Sequence, residues 1–315
     1  MIGYALRRLC QAVIVLLGLT VLVFVLEHII PGNLARAILG QRASAGEIAA
    51  FDRANDLDSP LVSQYLTFLS HVLHGNLGYS YRLNQSVDSL VAHELPNDII
   101  LVGIAVAIAL VIAVPLGVAQ AVRRNRGLDH AATGVAFLLY SMPSYWLGLL
   151  LIAGLAIGVH VFPPEAPQAA NVAGVLSDPR ALVLPVATLA LVNVALFSRY
   201  MRSAAIDTLA QDYVRVARAK GLPARVVLVR HVLRNSLVPV VTLLGLSVPA
   251  VLTTGLVVEY VFNFPGLGLT YFNAAVNADY PVELGVTVIV GVATVLGSLF
   301  ADLAYAVLDP RVRYG

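Results

Sequence analysis

Side chains able to do covalent or metal chemistry are sparse in this chain of 315 residues, and their spacing brings none of them together. Cys10 is the single cysteine, which excludes an intramolecular disulfide and a multi-thiolate metal site. The seven histidines are scattered, without the His-x-x-Glu-His spacing that sets two imidazoles on one helix face for zinc. No pairing of Ser with His marks a nucleophile and its base, as a membrane enzyme such as an intramembrane protease requires. The Gly-x-x-x-x-Gly-Lys-Ser/Thr loop that cradles nucleotide phosphates is absent too. Three acids lie in or beside long apolar runs, where a charge is costly and is by default a functional candidate. Glu27, beside His28, and Asp302 stand near the ends of their runs, which favours snorkelling or a partner ion pair over a substrate role. Glu259 also ends its run, where it either caps local structure, the preferred reading, or faces a substrate amine.

The richer chemistry is that of contact. From Asp207 the chain reads Asp-Thr-Leu-Ala-Gln-Asp-Tyr-Val-Arg-Val-Ala-Arg-Ala-Lys-Gly-Leu-Pro. Asp212 suits an N-cap or first-turn acid, Arg218 and Lys220 suit a last turn, Gly221 suits the left-handed position after it, and Pro223 forbids continuation. The spacing predicts a helix of about two turns. On it Tyr213, Val216, Ala217 and Lys220 share a face, and the small Ala217 and Ala219 keep its profile low. Two readings of the segment, with Val214, Arg215 and Arg218 included, stand side by side. It inserts into a groove on another protein, or it lies on anionic lipid headgroups.

The elements that position this segment are membrane spans. The chain is 59% hydrophobic and 12% charged, with a mean hydropathy of +0.83, outside the range of soluble domains. A net charge of +2 offers no reason to expect nucleic-acid binding. Apolar runs at about 9–30, 99–122, 131–161, 181–197, 237–262 and 284–308 each meet the length a bilayer of about 30 Å requires. The first is too long for a cleaved signal peptide and reads as a retained helix. Interior prolines at Pro115, Pro143, Pro185 and Pro249 are tolerable in a membrane bundle. With the amino terminus inside, the outer segments carry only Arg36, Arg42, Arg53, Arg82 and Arg180 of the 20 Lys and Arg residues. The positive-inside rule therefore predicts both termini in the cytoplasm. The outer segment 31–98 has an amphipathic pattern over Leu61 to Leu73 and is expected to pack as short helices on the outer surface. Aromatic Tyr145 and Trp146 follow Pro143 and Ser141 in the third run, where they either line a path at a helix break or pack between helices.

Tyr-Val-Arg-Val-Ala-Arg-Ala-Lys-Gly-Leu (213–222) followed by His231-Val-Leu-Arg-Asn-Ser-Leu-Val-Pro239 resembles the cytoplasmic loop of the dipeptide and oligopeptide type of ABC importer permease. Further matching landmarks are Pro31-Gly32, Gln64-Tyr65, Gly75-Asn-Leu-Gly78-Tyr-Ser80, Pro115-Leu-Gly117, Ser141-Met-Pro143-Ser-Tyr-Trp146-Leu147, Glu259-Tyr-Val-Phe262-Asn-Phe-Pro-Gly266-Leu-Gly268 and Leu308-Asp-Pro-Arg311-Val-Arg313. The wider class has Glu-Ala-Ala where this chain has Arg215, Val216 and Ala217, and a later proline where it has Arg234. The peptide branch shares both departures, whereas Gly32-Asn-Leu departs from the family's usual Gly-Asp-Pro.

The resemblance implies an all-α membrane protein of six transmembrane helices, a type I importer permease bundle with both termini cytoplasmic, in the inner membrane of a prokaryote. It implies an N-terminal helix (1–30), an extracytoplasmic segment (31–98), a five-helix permease core (99–308) with a coupling loop (199–236), and a cytoplasmic tail (309–315). Tyr213 to Gly221 would be the ATPase-coupling helix, supported by Arg230, His231, Arg234, Asn235 and Pro239. Ser141, Pro143, Tyr145, Trp146 and Glu259 become candidates for the translocation path. Asn263, Phe264, Gly266 and Gly268 become candidates for contact with an extracytoplasmic binding protein. The partners implied are that binding protein, a second homologous permease, two ATPase subunits that use ATP and Mg, and membrane lipid. No cofactor or metal is expected on this chain. The competing class is an ion-coupled secondary transporter, which calls for mid-span carboxylates or histidines and internal repeats; the sequence displays neither.

Overall fold

The computed structural model describes residues 2–29, 43–54, 58–169, 171–246 and 248–308. In chain order they form α1 (Ile2–Ile29), α2 (Ala45–Ala54), α3 (Leu61–Leu73), a hairpin of β1 (Tyr79–Ser80) and β2 (Gln85–Ser86), α4 (Val87–Val122) and α5 (Gly127–Ser141). Next come α6 (Ser144–Leu151) with a π-helical extension (Ile152–Gly158), α7 (Val172–Ser177), α8 (Pro179–Leu209) and α9 (Asp212–Ala219). The chain continues as α10 (Ala224–Val226) with a second π-helical stretch (Val227–Leu233), α11 (Arg234–Leu246), α12 (Val248–Phe262), α13 (Leu267–Asn277) and α14 (Tyr280–Leu308). In the hairpin Tyr79 pairs with Ser86 and Ser80 with Gln85, antiparallel.

Among the described residues, five stretches are long and apolar enough to cross a membrane: Leu6–Leu26, Val87–Val122, Pro179–Leu209, Ala224–Gly245 and Tyr280–Leu299. Gly127–Ser141 with Ser144–Gly158, bent by 106°, makes a sixth. Six crossings were expected, and the structure moves their boundaries. α4 starts at Val87 instead of about Ile99. Its first turns carry Glu94, Pro96, Asn97 and Asp98, which interrupt an apolar run but not a helix. Val87, Leu90 and Val91 still fall on one face and bury against Leu267, Ala274, Val282 and Val286. α8 runs past Phe197 to Leu209, so the first part of the expected inside segment 199–236 is helix. Asp178 starts α8 by accepting the Ala181 N–H at 3.2 Å.

The fifth crossing, expected over about 237–262, lies in the stretch Ala224–Gly245, and α12 follows it. Ser236 donates to Thr208 Oγ1 at 3.0 Å at the far end of α8. Leu243 and Leu244 then pack beside Val194 and Phe197, and Val258 and Phe262 pack with Leu182 and Leu184 near the start of α8. The chain from Ser236 to Phe262 therefore runs antiparallel to α8 along its length. One end of the bundle carries α9 and is basic. The hairpin and α13 lie at the opposite end.

α3 occupies the residues its pattern predicts, and it seats on α1. Tyr65 and Thr20 hydroxyls stand 3.0 Å apart, and the Tyr65 and Phe68 rings pack on Phe24 at centroid distances of 5.4 and 6.0 Å. Before α2, Ser44 and Glu47 form a reciprocal cap, with the Ser44 N–H donating to Glu47 Oε2 at 2.7 Å and the Glu47 N–H to Ser44 Oγ at 3.3 Å. The hydrogen bond from the Ser44 backbone, then that from its hydroxyl, holds the Glu47 carboxyl below its ordinary range.

α4 and α8 pack closely at Gly117. A Cβ there would stand 2.7 Å from Met201 Cβ, 2.8 Å from the Ser198 carbonyl and 2.9 Å from the Arg202 nitrogen. Two of those neighbours are backbone atoms that cannot turn aside. We expect Gly117→Ala to destabilise the bundle by roughly 1–3 kcal/mol. Gly103→Ala, on the same helix with open space around it, should leave the thermal midpoint of the purified protein in detergent unmoved. Equal midpoints for the two variants would mean the crossing is looser than described.

Candidate functional site

α9 spans Asp212–Ala219. Its start has Asp212 in the first turn, with the Val214 and Arg215 N–H groups donating to the Gln211 carbonyl at 3.1 and 3.3 Å. Its end is a Schellman turn. Gly221 is left-handed (φ +76°), its N–H donates to Arg218 O at 2.9 Å, and the Leu222 N–H reaches back to Ala217 O at 3.4 Å. Glycine adopts that conformation without the Cβ penalty, and Pro223 turns the chain into α10.

Val214 and Ala217 are buried with Ala121 at the end of α4, Ala205 of α8, and Val227 and Val232 of the second π-helical stretch. This apolar seat holds α9 on the ends of two spans. The free face consists of Tyr213 (43% exposed) and Val216 (51%), with Arg215, Arg218, Ala219 and Lys220 around them. One correction follows. Ala217, expected to share the outward face, lies at the edge between the two faces and is turned into the seat.

The residues expected to support the loop sit nearby but do not clamp α9. Arg230 and His231 lie in the π-helical stretch Val227–Leu233, Asn235 Nδ2 donates to His231 O at 2.7 Å, and Pro239 lies inside α11. Arg230, Arg234, Asn235 and Pro239 are exposed and His231 is half-buried. The contact with α9 is made by their apolar neighbours Val227 and Val232, which alternate with the basic residues on a helical period.

An ion pair unmarked in the sequence lies beside this seat. Arg202 of α8 donates from Nε to Asp129 Oδ1 at 2.6 Å and from Nη2 to Oδ2 at 2.7 Å, the bidentate geometry guanidinium favours. Asp129 Oδ2 also accepts the Asn125 N–H at 2.9 Å. The pair ties the first turn of α5, and the turn before it, to α8.

At the opposite end a second constellation surrounds the start of α13. Glu259, 2% exposed, accepts the Gly268 N–H at 2.7 Å. Both Asp98 oxygens lie 3.2 Å from the Leu267 nitrogen, and Thr270 Oγ1 donates to Glu94 Oε1 at 2.8 Å. Asn97 Nδ2 donates to Pro265 O at 3.0 Å. Three carboxyl groups from α4 and α12 thus gather at the start of α13, where free N–H groups need acceptors. Gly266 and Gly268 make the approach possible. A Cβ on Gly266 would overlap Asp98 Oδ1 and stand 2.6 Å from Glu259 Oε2, and one on Gly268 would overlap the Leu256 backbone.

This geometry relocates two expectations. Glu259 is buried and accepts a hydrogen bond at the start of α13. Phe264, Gly266 and Gly268, expected to touch a binding protein, are buried, whereas Asn263 is exposed. The outward surface of this loop is instead Asn263, Phe272, Asn273 and Val276. At the far end of α13, Ala278 is left-handed (φ 55°), and the buried Ser80 hydroxyl donates to Asp279 Oδ2.

The break between α5 and α6 leaves Ser141, Pro143, Tyr145 and Trp146 on the surface of the chain. α6 packs inward through Leu147 and Gly148; a Cβ on Gly148 would lie 3.1 Å from the Phe262 ring. The side chains of Glu27, His28 and Asp302, the Pro31-Gly32 landmark and the tail 309–315 lie outside the described residues.

Residues 113–314 match the family described as "Binding-protein-dependent transport system inner membrane component", and residues 1–105 match its N-terminal counterpart, "Binding-prot-dependent transport system membrane comp, N-term". The chain is 36% identical to the oligopeptide transport system permease protein AppB of Bacillus subtilis (strain 168), over 100% of both chains. It is 35% identical to the dipeptide transport system permease protein DppB of the same organism, over 99% of this chain and 98% of that one. With the dipeptide transport system permease protein DppB of Escherichia coli (strain K12) it shares 32% identity over 100% of this chain and 99% of the relative.

Proposed function

Because the chain belongs to the family of binding-protein-dependent transport system inner membrane components, we propose that it is the transmembrane permease subunit of an ATP-driven importer of di- or oligopeptides. It is a multi-pass protein of the cytoplasmic membrane of a prokaryote. On this reading the basic end and both termini lie in the cytoplasm, which the distribution of Lys and Arg favours. The observation that carries the reading is α9: a short helix seated on two spans by Val214 and Ala217, with Tyr213, Val216 and a basic rim left open. That shape suits insertion into a groove of an ATPase subunit.

Transport requires no covalent step in this chain. Two ATPase partners bind and hydrolyse ATP with Mg, a second homologous permease completes the path against α5, α6 and the exposed Tyr145 and Trp146, and a binding protein delivers peptide at the α13 end. ATP binding shifts the bundle between inward and outward access to the extent that the closed motor fits one arrangement better. The chain divides accordingly into an N-terminal helix (1–30), an extracytoplasmic segment (31–98), a permease core (99–308) and a tail (309–315), with coupling in 199–236. The ion-coupled alternative gains no support, since the buried Asp98 and Glu259 cap α13.

The test is reconstitution of this chain with its permease, ATPase and binding-protein partners in vesicles, followed by peptide uptake. Uptake should require ATP and the binding protein and survive collapse of ion gradients by ionophores. Uptake driven by a proton or sodium gradient without ATP would overturn the assignment.

A further inference from the structure

We propose that the Asp129–Arg202 ion pair is the positioning link that passes movement of the coupling helix to the broken span α5–α6; this rests on the importer reading above. α9, the end of α8 and the end of α4 form one body, because Val214 and Ala217 are packed with Ala121 and Ala205 in a single apolar cluster. α5 is attached to that body differently. Among the described residues, none of the four buried apolar clusters contains a side chain from 127–141, and the small Ala136 is the one apolar side chain that α5 buries.

Its side-chain hydrogen bonds and ring contact to α4 and α8 involve polar or charged groups. Gln120 Nε2 reaches Thr133 Oγ1 at 3.4 Å, the Arg199 guanidinium stands 5.2 Å from the Tyr140 ring centroid, and Arg202 grips Asp129 with two short hydrogen bonds. The last is the tightest and the most enclosed, with the Asp129 side chain 2% exposed and that of Arg202 28%. Asp129 lies in the first turn of α5 and also holds the Asn125 N–H, so the pair fixes the root of the helix. At its other end α5 meets the 106° bend, beyond which Tyr145 and Trp146 are exposed. A helix with Ala136 as its one buried apolar residue, gripped at its root and bent at its tip, moves as a lever when α8 shifts. Directional, bidentate hydrogen bonds transmit such a shift where sliding apolar contacts do not.

The experiment uses the full complex in vesicles, with ATP hydrolysis and peptide uptake measured on the same preparation for Asp129→Asn and Arg202→Lys. The second variant keeps the charge and loses the bidentate fork. Both should lower peptide taken up per ATP hydrolysed by about tenfold, the scale of a typical coupling between sites. A merely structural role would reduce hydrolysis and uptake together and leave that ratio unchanged, which would overturn the proposal. Should Asp129→Asn fail to assemble, Arg202→Lys decides by the same ratio. Absence of ATP-dependent uptake by the wild-type complex would instead count against the importer reading itself.

Discussion

Val216→Glu is expected to abolish ATP-driven uptake while the chain still inserts, folds and pairs with its second permease. Val216 is 51% exposed and points away from the seat formed by Ala121, Ala205, Val227 and Val232, so the change removes no contact within the chain. A glutamate at that position stands four residues before Lys220, a spacing that supports an isolated helix. What it harms is docking. Arg215, Arg218 and Lys220 around the free face call for a groove of complementary, negative character. A carboxylate carried into such a groove is both desolvated and repelled, at about 3 kcal/mol or more, which is roughly a hundredfold in affinity.

Ala217→Glu makes the contrast, because it drives a charge into the chain's own apolar cluster and should deplete folded protein altogether. Co-purification of the ATPase subunits separates the two outcomes. It should be lost for Val216→Glu with the permease pair intact, and both should be lost for Ala217→Glu. A Val216→Glu complex that retains its ATPases and transports normally would mean that the docking face lies elsewhere.

The reason α9 was legible while its orientation was not lies in the range of the forces involved. Asp212, Gly221 and Pro223 act within a few residues of where they stand, so the helix and its Schellman end can be read from the chain alone. Ala217 faces inward because of Ala121 and Ala205, which lie on other spans and leave no local mark. The same division explains α4. A search for uninterrupted apolar residues begins that span at Ile99, yet the helical face Val87, Leu90, Val91 continues beneath Glu94 and Asp98 because α14 and α13 cover it.

Distance in sequence hid the rest. Asp129 and Arg202 are 73 positions apart, and Asp98 is 169 from the nitrogen it caps. Each acid or base looks like an ordinary interfacial charge until its partner is placed. The Gly266-Leu-Gly268 landmark was visible as a resemblance, but its physical cause is tertiary, since those glycines leave room for carboxylates arriving from two other helices.

That cause sets the second large effect: Gly268→Ala should destabilise the protein severely and Glu259→Gln far less. At Gly268 a methyl group would overlap the Leu256 backbone and stand 2.6 Å from Glu259 Oε2, so α13 cannot keep both its place against α12 and its cap. Moving the helix start away strands the buried Glu259 and Asp98 carboxylates without the N–H groups that satisfy them. Leaving a buried polar group without its partner costs about 1–3 kcal/mol, on top of roughly 1–3 kcal/mol for overpacking.

Glu259→Gln preserves the side chain's shape and still offers an acceptor to the Gly268 N–H, so its cost is that of altering one buried hydrogen bond, about 1–2 kcal/mol. Thermal unfolding of the purified chain in detergent and limited proteolysis of the 263–280 loop should rank the variants wild type, Glu259→Gln, Gly268→Ala in order of falling stability. A Gly268→Ala protein as stable as wild type would show that the start of α13 is free to shift, and that the three carboxylates do not fix it.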